Sequence, residues 1–100
     1  MPLQRFSETV LWDNYSASAN EETDAVDVEK ASQLGIYVYT DTDINLDVLV
    51  YVNGAYKILT TESIPALTDY FITWMVYPWG YTKFRVDTAC TITLVAFRKT

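Results

Sequence analysis

Residues 35–59 read GIYVYTDTDINLDVLVYVNGAYKIL. From Ile44 onward the side chains alternate: Ile44, Leu46, Val48, Val50 and Val52 fall on one face, and Asn45, Asp47, Leu49 and Tyr51 on the other. A period of two is the mark of a half-buried strand. Asn53-Gly54 follows at once, and the pattern resumes from Ala55 to Leu59. Both turn residues tolerate the positive φ that a type I′ turn requires, so the stretch predicts a tight β-hairpin. A strand over residues 35–40 and the turn Asp41-Thr42-Asp43 lead into it.

Composition carries the same bias outward from the hairpin. The chain has 100 residues, half of them hydrophobic, with eight Tyr, four Phe and three Trp against three Gly and three Pro. That length makes one domain, and aromatic and β-branched residues suit pleated, half-buried surfaces. Before the hairpin, residues 1–24 read as an N-terminal arm or edge segment with Val10, Leu11 and Trp12 at its centre. Within it, residues 16–24 (SASANEETD) read as a loop. Val26 and Val28 mark a short strand. After the hairpin, residues 60–67 (TTESIPAL) read as a connection. Strands follow at 70–77, 81–86 and 89–97, separated by Pro78-Trp79-Gly80 and Asp87-Thr88. The expectation is an all-β fold, a seven- or eight-stranded antiparallel β-sandwich of jelly-roll or immunoglobulin-like type, with 25–100 as a single sandwich domain.

The formal charge is −6, which disfavours nucleic acid as a partner. It is also uneven: residues 1–50 hold ten acids and two bases (−8), residues 51–100 three acids and five bases (+2). This asymmetry fits either a solvated acidic face or head-to-tail association of copies. Arg5, Glu8 and Asp13 interrupt any apolar leader, and no apolar run reaches membrane-spanning length, so a soluble chain with no membrane partner is expected.

The candidate chemistry is thin. There is no histidine, the usual neutral-pH base and metal ligand, and the lone Cys90 cannot form an internal disulfide. Cys90 lies in an alternating strand, where a small buried residue is the ordinary explanation. Asp41, Asp43 and Asp47 offer three carboxylates to a hard cation, but without the glycine and terminal Glu of an EF-hand loop. Asp69 and Asp87 each border a strand, as any acid-rich domain supplies. Glycoside hydrolysis would need two such acids about 5 to 10 Å apart across a cleft. No S-x-x-K stretch replaces the missing histidine behind a serine. The reading is therefore non-enzymatic, with no cofactor. The run Trp74-Met75-Val76-Tyr77-Pro78-Trp79-Gly80-Tyr81 stands out. Trp74 keeps its strand's alternation and reads as core. Tyr77, Trp79 and Tyr81 flank a turn, where rings would close the end of the core, anchor a protein interface or stack on a sugar.

A further pattern runs from Ala25 to the C-terminus. A V-x-V strand (AVDVEKA) precedes an I-x-V strand and LDVLVYVNGAYKIL, and YTKFRVDTA with a final TITLV strand closes the chain. This order resembles the small β-sandwich proteins encoded among the structural genes of tailed phages, the head decoration and minor head or tail components. Tyr81, Phe84, Arg85 and Val86 match the family's Y-x-R-V strand, while DTAC at 87–90 replaces its usual glycine- and serine-rich corner. The resemblance covers about three quarters of the chain. It implies a virion protein without catalysis that binds capsid or tail proteins of the same particle, as a homo-oligomer. Leu11, Trp12, Tyr77, Trp79 and Tyr81 would then make the contacts. The alternative is a carbohydrate-binding sandwich module whose aromatic turn stacks on a glycan. An immunoglobulin-type adhesion domain is a third reading, which the missing leader and cysteine pair make the weakest.

Overall fold

The computed structural model describes residues 6–29, 31–75 and 80–99. Its eight strands are β1 (Phe6–Ala17), β2 (Val26–Asp27), β3 (Gln33–Thr40), β4 (Ile44–Val52), β5 (Ala55–Ile64), β6 (Tyr70–Met75), β7 (Tyr81–Val86) and β8 (Cys90–Lys99). Asn53 (φ 53°) and Gly54 (φ 82°) turn β4 into β5 with the positive dihedrals expected of them. Around this turn the strands pair from the inside out: β4 with β5, β3 with β6, β2 with β7 and β1 with β8, all antiparallel. The two sheets run β1-β8-β3-β6 and β2-β7-β4-β5. This is one long hairpin rolled over itself, the jelly-roll order, and it resolves the choice between jelly roll and immunoglobulin.

The core lies between the sheets and is built from the inward phase of each strand. Ile36 and Val38 of β3, Leu46 and Val48 of β4, Phe84 and Val86 of β7, and Ile92, Leu94 and Ala96 of β8 are all buried in one cluster. Tyr70 and Ile72 of β6 pack against it. Thr82 and Thr40 join this buried phase as polar members. Thr40 satisfies its hydroxyl locally, donating to the Thr42 carbonyl at 2.9 Å.

One local departure from the sequence expectation, in β5, and two features of the N-terminal segment have physical causes. First, β5 runs on to Ile64 where a connection was expected. The register slips between Val48 and Leu49, leaving Leu59 as an extra residue. That bulge resets the phase, so Thr60, Glu62 and Ile64 align with inward Val48, Leu46 and Ile44. Second, residues 18–25 are irregular but not free: the Asn20 and Thr23 amides donate to the Val86 and Phe84 carbonyls, each at 2.8 Å. The segment thus completes the outer edge of β7. Third, β1 forms a twelve-residue edge strand paired along β8, with irregularities between Val10 and Trp12 and between Trp12 and Tyr15. Asn14 (φ 51°) absorbs the second irregularity.

Candidate functional site

Of the expected contact residues, Tyr77 and Trp79 lie outside the described residues, as does the Trp74 side chain. Trp12 is corrected. Its ring is 8% exposed, sits in the core cluster and stacks on Tyr15 at 5.3 Å, so it offers no free surface. The bulge after Val10 turns this strand so that Trp12 pairs with inward Leu94. Leu11 is half-buried against the same cluster. Tyr81 is 46% exposed at the start of β7.

The carboxylates that are weak candidates for a cation, Asp41, Asp43 and Asp47, each accept bonds from within the fold. One Asp41 oxygen accepts from the Thr91 amide at 2.9 Å and from the Thr42 hydroxyl at 3.0 Å, and these bonds hold its carboxyl below the usual range. Asp43 accepts from the Ala66 amide at 2.7 Å. Asp47 takes Arg85 on one oxygen (Nη2 at 2.8 Å, Nε at 3.1 Å) and the Thr61 hydroxyl on the other at 2.7 Å. Among the described residues no group of three or more potential metal ligands comes together. The two strand-bordering acids are also engaged. Asp69 accepts the Tyr37 phenol at 2.6 Å and Asp87 accepts both the amide and the side chain of Asn45, at 2.9 and 3.0 Å. Cys90 is buried, and burial pushes its thiol up, away from the thiolate a nucleophile needs.

Among the described residues, each sheet has an exposed surface on its outer face. On β2-β7-β4-β5, the outward phase of β7 carries Tyr81, Lys83 and Arg85. Lys83 and Arg85 lie beside Leu49 and Asp47 of β4. The Tyr51 and Tyr56 rings meet edge-on at 5.1 Å, and the Lys83 ammonium sits over Tyr56 at 4.4 Å. Lys83 also lies 3.6 Å from Glu22. Part of the charge asymmetry between the chain's halves is thus settled within the molecule: Lys83 and Arg85 of the second half meet Glu22 and Asp47 of the first. Tyr51, Tyr56 and Tyr81 leave an amphipathic tyrosine surface near the hairpin tip.

On β1-β8-β3-β6, three of the outward rows that cross the strands matter here. Val95, Tyr37 and Phe71 form one; Phe97, Gly35 and Thr73 the next; Lys99 and Gln33 the third. Phe71 is 68% exposed and Val10, beside Val95, 56%. The Tyr37 and Phe71 rings lie 5.1 Å apart at 47°. The hydrogen bond to Asp69 raises the Tyr37 phenol above its ordinary pKa, so it stays a donor. Sequence reading missed this face because β3 alternates apolar Ile36 and Val38 with aromatic Tyr37 and Tyr39, so neither phase looks polar. The legible signal was Gly35, a missing side chain in the aromatic phase of a strand.

No family model matches the chain, and no curated protein matches it in sequence. In fold it is similar to the SPBc2 prophage-derived protein YomS, with 10% identity and a TM-score of 0.74 over 100% of this chain and 97% of that one. It is similar as well to the PBSX exported protein XepA, with 13% identity and a TM-score of 0.68 over 93% of this chain. The match takes in 36% of XepA, so the chain spans about a third of that protein's length. A variant of a family 29 carbohydrate-binding module follows at 12% identity and a TM-score of 0.59, over 96% of this chain and 87% of that one. At such identities the likeness concerns the β-sandwich, and it includes phage-derived proteins.

Proposed function

We propose that this chain is a non-enzymatic structural component of a phage particle, a decoration protein or minor head or tail protein that docks on neighbouring capsid or tail subunits. The observation that carries the reading is the tyrosine surface of the β2-β7-β4-β5 sheet. Tyr51, Tyr56 and Tyr81 are rigid and amphipathic, with 54% exposed Ile58 beside them, and such side chains concentrate binding energy at protein contacts. It also takes in Tyr81, the described member of the aromatic turn. Further support comes from the fold, which a prophage-derived protein shares over nearly its whole length. The carboxylates of Asp41, Asp43, Asp47, Asp69 and Asp87 are hydrogen-bonded and the Cys90 thiol is buried, rather than poised for reaction.

Docking would stabilise the assembled particle by mass action, because the bound protein favours the state that presents its site. The experiment is co-sedimentation of the purified chain with virions assembled without it. Binding is expected to saturate, and the double variant Tyr51→Ala/Tyr81→Ala is expected to lose it about tenfold or more while melting cooperatively. Occupancy unchanged by the double variant would remove this surface from the reading. Failure of the unaltered chain to bind would remove the reading itself.

A further inference from the structure

The opposite face is independent of the docking surface. On the β1-β8-β3-β6 sheet, Gly35 is the gap in the middle of an aromatic surface. Its neighbours across the strands are Phe97 on one side and Thr73 on the other. The strands come so close there that a Cβ on residue 35 would stand 3.2 Å from the Ile72 carbonyl oxygen and 3.5 Å from the Thr73 hydroxyl. What the missing side chain leaves is a hollow of about 290 Å³, bounded by Phe71 and Phe97 and by Gln33, Thr73 and Lys99. That volume lies at the lower end of the range for small-molecule sites, about 300–1,000 Å³.

We propose that this hollow binds a pyranose ring of a neutral glycan, stacked against Phe71 and hydrogen-bonded at its rim by Gln33, Thr73 and Lys99. The lining has the two halves that a sugar has. Apolar C–H faces of the sugar match the exposed Phe71 ring and the half-buried Phe97 ring, as flat apolar surfaces do. Ring hydroxyls match an amide, a hydroxyl and an ammonium, which between them donate and accept. The Thr73 hydroxyl points at the Gly35 gap, where a ring hydroxyl would lie.

Size argues against a protein here: a stable protein contact takes about 800 Å² from each partner, far more than this hollow can offer. Charge argues against a polyanionic glycan. Lys99 is the one cationic residue lining the hollow, on a chain of net charge −6, and the Asp69 carboxylate is bonded to Tyr37, whose ring packs against Phe71.

The test is affinity electrophoresis of the full chain in gels containing soluble neutral polysaccharides, namely hydroxyethylcellulose, glucomannan, laminarin, dextran and mannan. Retardation is expected in at least one of them. Phe71→Ala is expected to weaken it about tenfold or more, with Phe71→Trp restoring it. Phe71 is exposed, so the variant keeps its fold, which a thermal melt verifies. Tyr51→Ala/Tyr81→Ala, on the other sheet, is expected to retain it, which separates this site from the docking surface. No retardation of the unaltered chain by any of the five polymers overturns the proposal, as does retardation that survives Phe71→Ala. Loss of particle co-sedimentation in Phe71→Ala, with retardation unchanged, would assign the face to a protein instead.

Discussion

On the β2-β7-β4-β5 sheet the outward side chains lean on one another. Arg85 grips Asp47, Lys83 covers Tyr56 and approaches Glu22, and Leu49 is 3% exposed although it points away from the core. On the β1-β8-β3-β6 sheet, among the described residues, only Val95 of the outward phase is buried; Phe71 stands open two strands away and Gly35 leaves a hollow. The strands beneath are alike, so the difference lies in what the outward phase contains. Long charged stems can lie across a neighbour and shield it, and rigid rings cannot. A jelly roll can therefore shield the Asp47–Leu49 part of one outer face by itself, while the tyrosine end of that face and the Phe71 side of the other stay open.

The sharpest break in this comparison would come from Leu49. Leu49→Ala removes a buried side chain from an outer face and should cost about 2–4 kcal/mol in a denaturant melt. A cost below about 0.5 kcal/mol would mean that the charged stems do not shield that face. Next is Asp47→Ala, which leaves a half-buried guanidinium without its carboxylate; about 1–2 kcal/mol is expected. If the melt is unmoved, the pair orders the surface without stabilising it.

Acid should act on both sheets at their corners. Hydrogen bonds from the Thr91 and Asn45 amides hold the Asp41 and Asp87 carboxyls below their ordinary values. Groups with depressed folded pKa values contribute stability that is present above the unfolded value, about 4. It is lost as pH falls through the folded values. Melting temperature should therefore be flat from pH 7 to about 5 and fall below about 4, and Asp87→Ala should flatten part of that fall. The smallest effect sharpens the comparison most. Phe71→Ala should change stability by less than about 0.5 kcal/mol, because an exposed ring contributes little to folding. A large loss would show that the open face is structural after all.

What the sequence disclosed follows from which forces act locally. Alternation and the Asn53-Gly54 turn are local, so the central hairpin and most strand positions were legible. The pairing of β1 with β8 and β2 with β7 is a matter of distant partners, and sequence alone left jelly roll and immunoglobulin order both open. Trp12 was misplaced because a bulge shifts the phase of β1, and a bulge leaves no mark on composition. Leu59 misled in the same way, hiding half of β5 behind a phase change. Asp41 and Asp43 were only weak cation candidates in sequence, and the backbone amides of Thr91 and Ala66 that bond them come from far along the chain.

The bulge at Leu59 has one more consequence. β5 is the outer strand of its sheet, and an outer strand of ten residues is a template on which another copy's strand could add. The slipped register kinks that edge in its middle. Lys57 and Glu62, on either side of the kink, take positions in the inward phase, opposite Val50 and Leu46. A strand laid along this edge would meet a bend and would have to bring two charges under its own apolar residues. Copies crowded together at high local concentration would thus meet through side chains and resist zipping into fibres.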